Sequence, residues 1–176
     1  MKIVVIGSSS TGKTTLCKKL FEIKLVKKII NVNIISILQQ DNFTSIDNLT
    51  KQEFINFQEK IFECRKNLEM TETDFISDRS FIDGIAYLMA KEIPYEKYLE
   101  KYLPYIKKYD YIFYLPIDVI PYESNLYRSN NQNFNQKVDL NIKYLLDKIN
   151  IKYYSLEMIK LDERVNFIKQ VVSKNV

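Results

Sequence analysis

The chain has 176 residues, the length of one domain, and its 46% apolar share is enough to bury a core without disulfides or a structural metal. Charged residues make up 27%, which argues against wholesale disorder, and the net charge of +4 comes from scattered Lys, which favours a solvated surface over a nucleic-acid groove. There is no His, so His-based general base catalysis, His metal ligation and His pH switching are excluded within this chain.

Residues 2–6 form a β-branched run ending at Gly7 and predict a buried strand. Residues 14–27 predict a helix with Leu16, Leu20 and Ile23 on one side. Residues 29–35 read as a second strand and residues 36–49 as a polar loop. Thr50 and Glu53 fit a capping box. The helix they open carries Phe54, Phe57, Ile61, Cys64 and Leu68 at three- and four-residue steps, to about residue 69. Residues 74–77 predict a third strand ending at Asp78, followed by a helix over 81–90. Pro94 sits near the first turn of another helix ending near Tyr109, which Pro104 is expected to kink or split. Residues 111–115 predict a fourth strand, stopped by Pro116. A helix over 134–149 places Val138, Ile142, Leu145 and Ile149 on one face, and residues 152–155 predict a fifth strand. Asp162 is expected to cap a last helix through residue 174. This alternation predicts an α/β fold, a parallel sheet covered on both faces.

The most specific signal is Gly7-Ser8-Ser9-Ser10-Thr11-Gly12-Lys13-Thr14, a full match to G-x-x-x-x-G-K-[ST] between a strand and a helix. Gly7 and Gly12 permit backbone angles and close approaches that a Cβ would block. Successive N–H groups can then turn inward as an anion nest at a helix N-terminus, where the dipole also favours negative charge. Lys13 is expected to reach the β- and γ-phosphates of ATP, the Thr14 hydroxyl to ligate Mg²⁺, and Thr15 to lie on the α-phosphate side.

Asp78, at the carboxyl end of an apolar strand, faces the ligand crevice of an open α/β sheet. It can hold Mg²⁺ or accept a proton from a substrate hydroxyl, and the adjacent Arg79 can fork onto phosphate oxygens. The alternative is a helix cap at Asp78 or Ser80 with a surface Arg79. Asp83 reads equally as a substrate contact or as a first-turn acid complementing the helix dipole. Arg65, Arg79, Arg128 and Arg164 are the whole Arg set of a Lys-rich chain. Arg128 lies in an Asn-rich segment at about 124–136, where a mobile lid could lower a cation onto a transferring phosphoryl group; the alternative is a solvated loop Arg. Lys137, nearby, reads best as a surface residue. Cys17 and Cys64 lack metal spacing and read as idle thiols of a reducing compartment. Most of the thirteen Tyr are expected in the core and its rim.

With these motifs in order, the chain resembles the nucleoside and nucleoside-monophosphate kinase group of P-loop proteins. Asp78-Arg79-Ser80 is similar to the acid-Arg-Ser signature of deoxynucleoside kinases and the Asp-Arg pair of thymidylate kinases. The spacing is similar to the NadR-like P-loop kinase family of AAA-type ATPases, through 52–58, 75–87, 109–116 and Tyr127-Arg128. The resemblance implies one P-loop kinase domain over 1–176 with a five-stranded parallel sheet in order 2-3-1-4-5. It also implies ATP-dependent phosphorylation of a nucleoside-like acceptor. ATP would lie on Lys13 and the loop amides, Mg²⁺ near Thr14 and Asp78, phosphate on Arg79, and Arg128 would come from the lid. Relatives often carry an acid after the second strand; here Asp41 could substitute as a substrate contact, or the amides of Gln39 and Gln40 could read a base edge.

Residues 1–6 show no basic leader, and no apolar run reaches about 18 residues, so a soluble, cytoplasmic protein is expected. Its expected partner is a small-molecule nucleoside or nucleotide. Nucleic acid is the less favoured acceptor, no membrane partner is implied, and a homodimer is allowed. Two alternatives stay open: a polynucleotide or modified-base kinase, and a regulatory NTPase without an acceptor.

Overall fold

The run Lys2–Ile6 forms β1 at the centre of the sheet in the computed structural model, in which residues 1–119 and 131–174 are described. It is flanked by β3 (Phe75–Asp78) and β4 (Tyr111–Tyr114), with β2 (Ile29–Ile30) and β5 (Tyr154–Ser155) at the edges. The order is therefore β2-β3-β1-β4-β5, and every pairing is parallel. Successive side chains of a strand point to opposite faces, so β1 divides the core in two. Val4 and Ile6 join Phe54, Phe62 and Phe81 on one face, while Ile3 and Val5 join Leu16, Leu20 and Ile168 on the other. The first face is covered by α3 (Lys51–Met70), α4 (Phe81–Ala90), α5 (Glu96–Ile106) and α6 (Gln132–Lys148). The second is covered by α1 (Lys13–Glu22) and α7 (Leu161–Ser173).

The elements that position the site are well determined by local chemistry. Thr50 and Glu53 form the expected capping box, which fixes where α3 begins. A second capping box, Ser80 with Asp83, starts α4 directly after the β3 turn. The almost wholly apolar α4 is buried between α3 and α6, and the Tyr102 ring lies 4.7 Å from both Phe62 and Phe81. Gly84 allows this approach. A Cβ there would collide with the Phe62 ring and meet Gln58 Oε1 at 3.2 Å. Gly84→Ala is therefore expected to destabilise the fold by about 1–3 kcal/mol despite its better helix propensity, measured by urea denaturation.

The structure corrects several expected boundaries. Residues 29–35 do not form one strand: β2 stops at Ile30, and α2 (Ile34–Gln40) replaces the rest and part of the expected loop. Asn33 causes the change, since its side chain caps α2 by accepting from Ser36 N at 3.0 Å. Ile34, Ile37 and Leu38 then fall at helical spacing, a period hidden within a β-branched run. A 3-10 turn at Ile46–Asn48 occupies more of the expected loop. Asp162 does not cap α7; Lys160 holds that position, and Asp162 and Glu163 sit in the first turn, where they complement the dipole. Helix α1 ends at Glu22, and Lys24 beyond it has φ +58°. Pro104 does not split α5: it lies two residues from the helix end, so the hydrogen bond it removes and the clash of its ring fall in the last turn and leave the rest of the helix intact. Residues 131–136 of the expected lid cap and begin α6, while the remainder, Arg128 included, lies outside the described residues. Among the described residues, no helix is long and apolar enough to cross a membrane.

Candidate active site

The centre of the sheet delivers two segments to one place. β1 ends at Gly7 and opens the glycine-rich loop, and the register Val5↔Asp78 brings the end of β3 beside it. Gly7 has φ +149°, and a Cβ there would meet Leu115 O at 2.5 Å, so this turn requires glycine. Gly12 caps α1 with φ +83°, and Ser10 is also left-handed at φ +62°. The loop thus wraps toward the N-terminus of α1, the geometry of an anion nest.

Side chains brace the loop from within. Lys13 is buried, and its ammonium group donates to Ser8 O and, at 3.0 Å, to Thr11 Oγ1. Ser9 Oγ pairs with the Tyr87 hydroxyl of α4 at 2.9 Å. The Gly7 amide donates to Asp83 Oδ1 at 3.0 Å, while Asp83 Oδ2 accepts from Ser80 N at 2.7 Å. Asp83 therefore ties the start of the loop to the start of α4, and protein donors occupy both of its oxygens. From the other side Arg164 of α7 donates to Met158 O at 2.6 Å and to Thr11 O at 3.3 Å. Burial lowers the Arg164 pKa, and its Nη2 has no hydrogen-bond partner among the described residues.

Opposite the loop stands the β3 turn. Thr14 Oγ1 donates to Asp78 Oδ2 at 2.5 Å, so two hard oxygens meet beside Lys13. Magnesium suits this pair: it is held by one or two protein oxygens, with phosphate and water completing its shell. No cluster of three or more His, Cys, Asp or Glu exists among the described residues. Arg79 takes φ +74°, and its guanidinium donates to Gly7 O at 3.3 Å and lies 5.4 Å over the Tyr87 ring. Burial opposes the Arg79 charge, but Tyr87, Asp83 and Asp78 outweigh it and raise the pKa. Burial and Asp78 raise the Cys17 pKa strongly, so that thiol stays protonated.

These groups open on a single cavity of about 770 Å³. Residues 9–15, Asp78, Arg79 and Asp83 line it, so the structure brings the two sequence motifs together. Thr15 lies exposed at its rim. Beyond Asp78 the cavity continues against Val32, Ile34, Ile46, Phe57 and Ile61. Gln58, buried in that wall, has an Oε1 with no hydrogen-bond partner among the described residues. Asp41 is not brought here; it pairs with Lys60 on a separate surface groove. Four contributors were not singled out as site residues from sequence: Gln58, Arg65, Tyr87 and Arg164. For Gln58 and Arg65 a signal existed, because both are polar residues within the buried helical stripe of α3.

Taken together, the parallel order, the glycine-rich loop and the acid-Arg turn define the fold of P-loop nucleoside and nucleotide kinases. Solved structures agree. The chain superposes on deoxyadenosine kinase from M. mycoides with a TM-score of 0.72 and 12% identity, covering 100% of each chain. Thymidylate kinase from Candida albicans gives 0.68 and 16%, covering 99% of this chain and 91% of that one. NadR protein in complex with NAD and AMP-PNP gives 0.65 and 18%, covering 97% of this chain and 48% of the NadR chain. At such identities the likeness is one of fold. A search of curated proteins returns no match. The family model AAA_28, an AAA domain, matches residues 2–164, and the chain belongs to that family.

Proposed function

We propose that the protein transfers the γ-phosphoryl group of Mg·ATP to a nucleoside-like acceptor. The observation that carries this reading is the continuity of one cavity, from the loop amides past Asp78 and Arg79 to an apolar wall with an amide set in it. The loop and Lys13 would hold the triphosphate, and Thr14 with Asp78 would hold Mg²⁺. Arg79 would face the transferring group, with Arg128 as a further cation from the segment before α6. The work is positioning and charge neutralisation, with little covalent chemistry asked of the protein.

The acceptor end supports a flat, weakly polar ring system. Phe57, Ile61 and Ile46 offer apolar contact, and the amide of Gln58, which also lines the cavity, would read a base edge. Among the described residues, Arg65 at this end is already committed to Ser77 and to main-chain carbonyls. With Arg79 assigned to the transferring group, an acceptor hydroxyl fits better than an acceptor phosphate.

Labelled ATP incubated with nucleosides, nucleoside monophosphates and oligonucleotides tests the reading. Product is expected from a nucleoside or nucleotide; labelling of oligonucleotides alone, or ATP hydrolysis with no acceptor labelled, would refute it. Gln58→Leu is expected to raise the acceptor KM by about 10-fold while ATP KM stays within about 2-fold, the cost of one hydrogen bond at one substrate.

A further inference from the structure

The β3 turn is unusual in holding a non-glycine residue, Arg79, at φ +74°. Such a conformation is costly for a residue with a side chain and persists only where its surroundings enforce it. The Arg79 carbonyl is held by Ser77 Oγ at 2.9 Å and by Arg65, which lies 2% exposed on α3. Its Nη1 donates to Arg79 O at 2.6 Å and to Ser77 Oγ at 2.5 Å, and its Nη2 donates to Asp78 O at 3.3 Å. The Arg79 amide meanwhile donates to Val5 O at 2.9 Å. With carbonyls 78 and 79 held toward α3, the two side chains turn the other way, Asp78 to Thr14 and Arg79 to Gly7.

A buried guanidinium needs a counter-charge. Glu69, one turn further along α3 and 6% exposed, lies 3.6 Å from Arg65. Its carboxylate accepts from the Tyr109 hydroxyl, at 2.9 Å to Oε2 and 3.2 Å to Oε1, and lies 3.4 Å from Ser77 Oγ. Burial raises the Glu69 pKa, and Arg65, Tyr109 and Ser77 act against that rise. Neither Glu69 nor Tyr109 lines the cavity.

We propose that Glu69 and Tyr109 are positioning residues, a latch that holds the Arg65 fork and through it sets Asp78 and Arg79 for phosphoryl transfer. The consequence for rate rests on the kinase reading; the consequence for Mg²⁺ placement at Asp78 does not. Tyr109→Phe removes one hydroxyl and keeps the ring, Glu69→Gln removes the charge and keeps the shape, and Arg65→Lys keeps the charge and removes the fork.

Each variant is to be measured for kcat, for both KM values, for thermal midpoint, and for the ratio of ATP affinities with and without Mg²⁺. The expected result is a kcat lowered about 10-fold or more with both KM values within about 3-fold, the pattern of a group acting on the transition state alone. The Mg²⁺ enhancement of ATP affinity should fall about 5-fold or more as Asp78 loses its setting. Unchanged kcat and Mg²⁺ enhancement in folded Tyr109→Phe and Glu69→Gln overturn the latch, as do losses in KM that match those in kcat. If Glu69→Gln does not fold, Tyr109→Phe decides by the same criteria. If the wild-type protein phosphorylates no acceptor, the kinase reading fails, and the Mg²⁺ ratio decides the latch separately.

Discussion

Lys13→Ala is expected to abolish phosphoryl transfer, by about 1,000-fold or more in kcat, and to weaken ATP binding by about 10- to 100-fold. The two losses would differ because the ammonium group would do two things. In the ground state it would supply ATP with hydrogen bonds from a charged donor, each worth about 1.5–3 kcal/mol. During transfer it would neutralise charge on the moving phosphoryl group, an interaction stronger in the transition state than before it. The side chain is well placed for both: it is buried at the head of α1 and already hydrogen-bonded to Ser8 and Thr11 within the loop that would surround the triphosphate. Lys13→Met, which keeps the length and loses the charge, should match the alanine variant in kcat. Labelled-phosphate transfer and titration calorimetry with ATP separate the two effects. A residual rate within about tenfold of wild type would remove Lys13 from the chemistry.

The loop and its neighbours were legible because their physics is local. A glycine at φ +149° and another at φ +83° leave a direct mark in sequence, and so does a capping box such as Thr50 with Glu53. The strand order followed from the resemblance and is the order observed. Residues 29–40 were misread because Ile29, Ile30, Val32, Ile34 and Ile35 suit a strand, whereas Asn33 turns the chain into a helix by a single side-chain bond. A two-residue edge pairing gives such a segment little reason to stay extended. Sequence alone cannot show that Asp83 reaches the Gly7 amide, 76 residues away. Arg65 was equally opaque. Nothing local distinguishes a surface Arg from one that reaches the β3 turn, except that it shares a helical face with Phe54, Phe57 and Ile61. A polar residue in register with a buried stripe is the readable trace of such a contact. Gln58 carries the same trace.

Asp78→Asn is the second expected large effect: about 100- to 1,000-fold in kcat, with a higher Mg²⁺ concentration needed for half-maximal rate. The substitution is nearly isosteric, and its amide oxygen can still accept from Thr14 Oγ1, now at 2.5 Å from Asp78. What disappears is the negative charge, which on the proposed reading would draw a divalent cation between this turn and the loop. Thr14→Val removes the other oxygen and should move the Mg²⁺ requirement in the same direction by a smaller factor, because a neutral hydroxyl contributes less to a hard cation than a carboxylate does. Stability should discriminate between this role and a merely structural one. Asp78 is buried with its carbonyl already held by Arg65, so Asn preserves the fork's grip on the main chain and the thermal midpoint should stay within a few degrees. A variant that loses its rate while keeping its fold, and recovers part of that rate as Mg²⁺ is raised, places Asp78 at the metal. One that loses rate without any change in Mg²⁺ dependence would instead make Asp78 a proton acceptor for the substrate hydroxyl, because that role depends on the carboxylate and not on the cation.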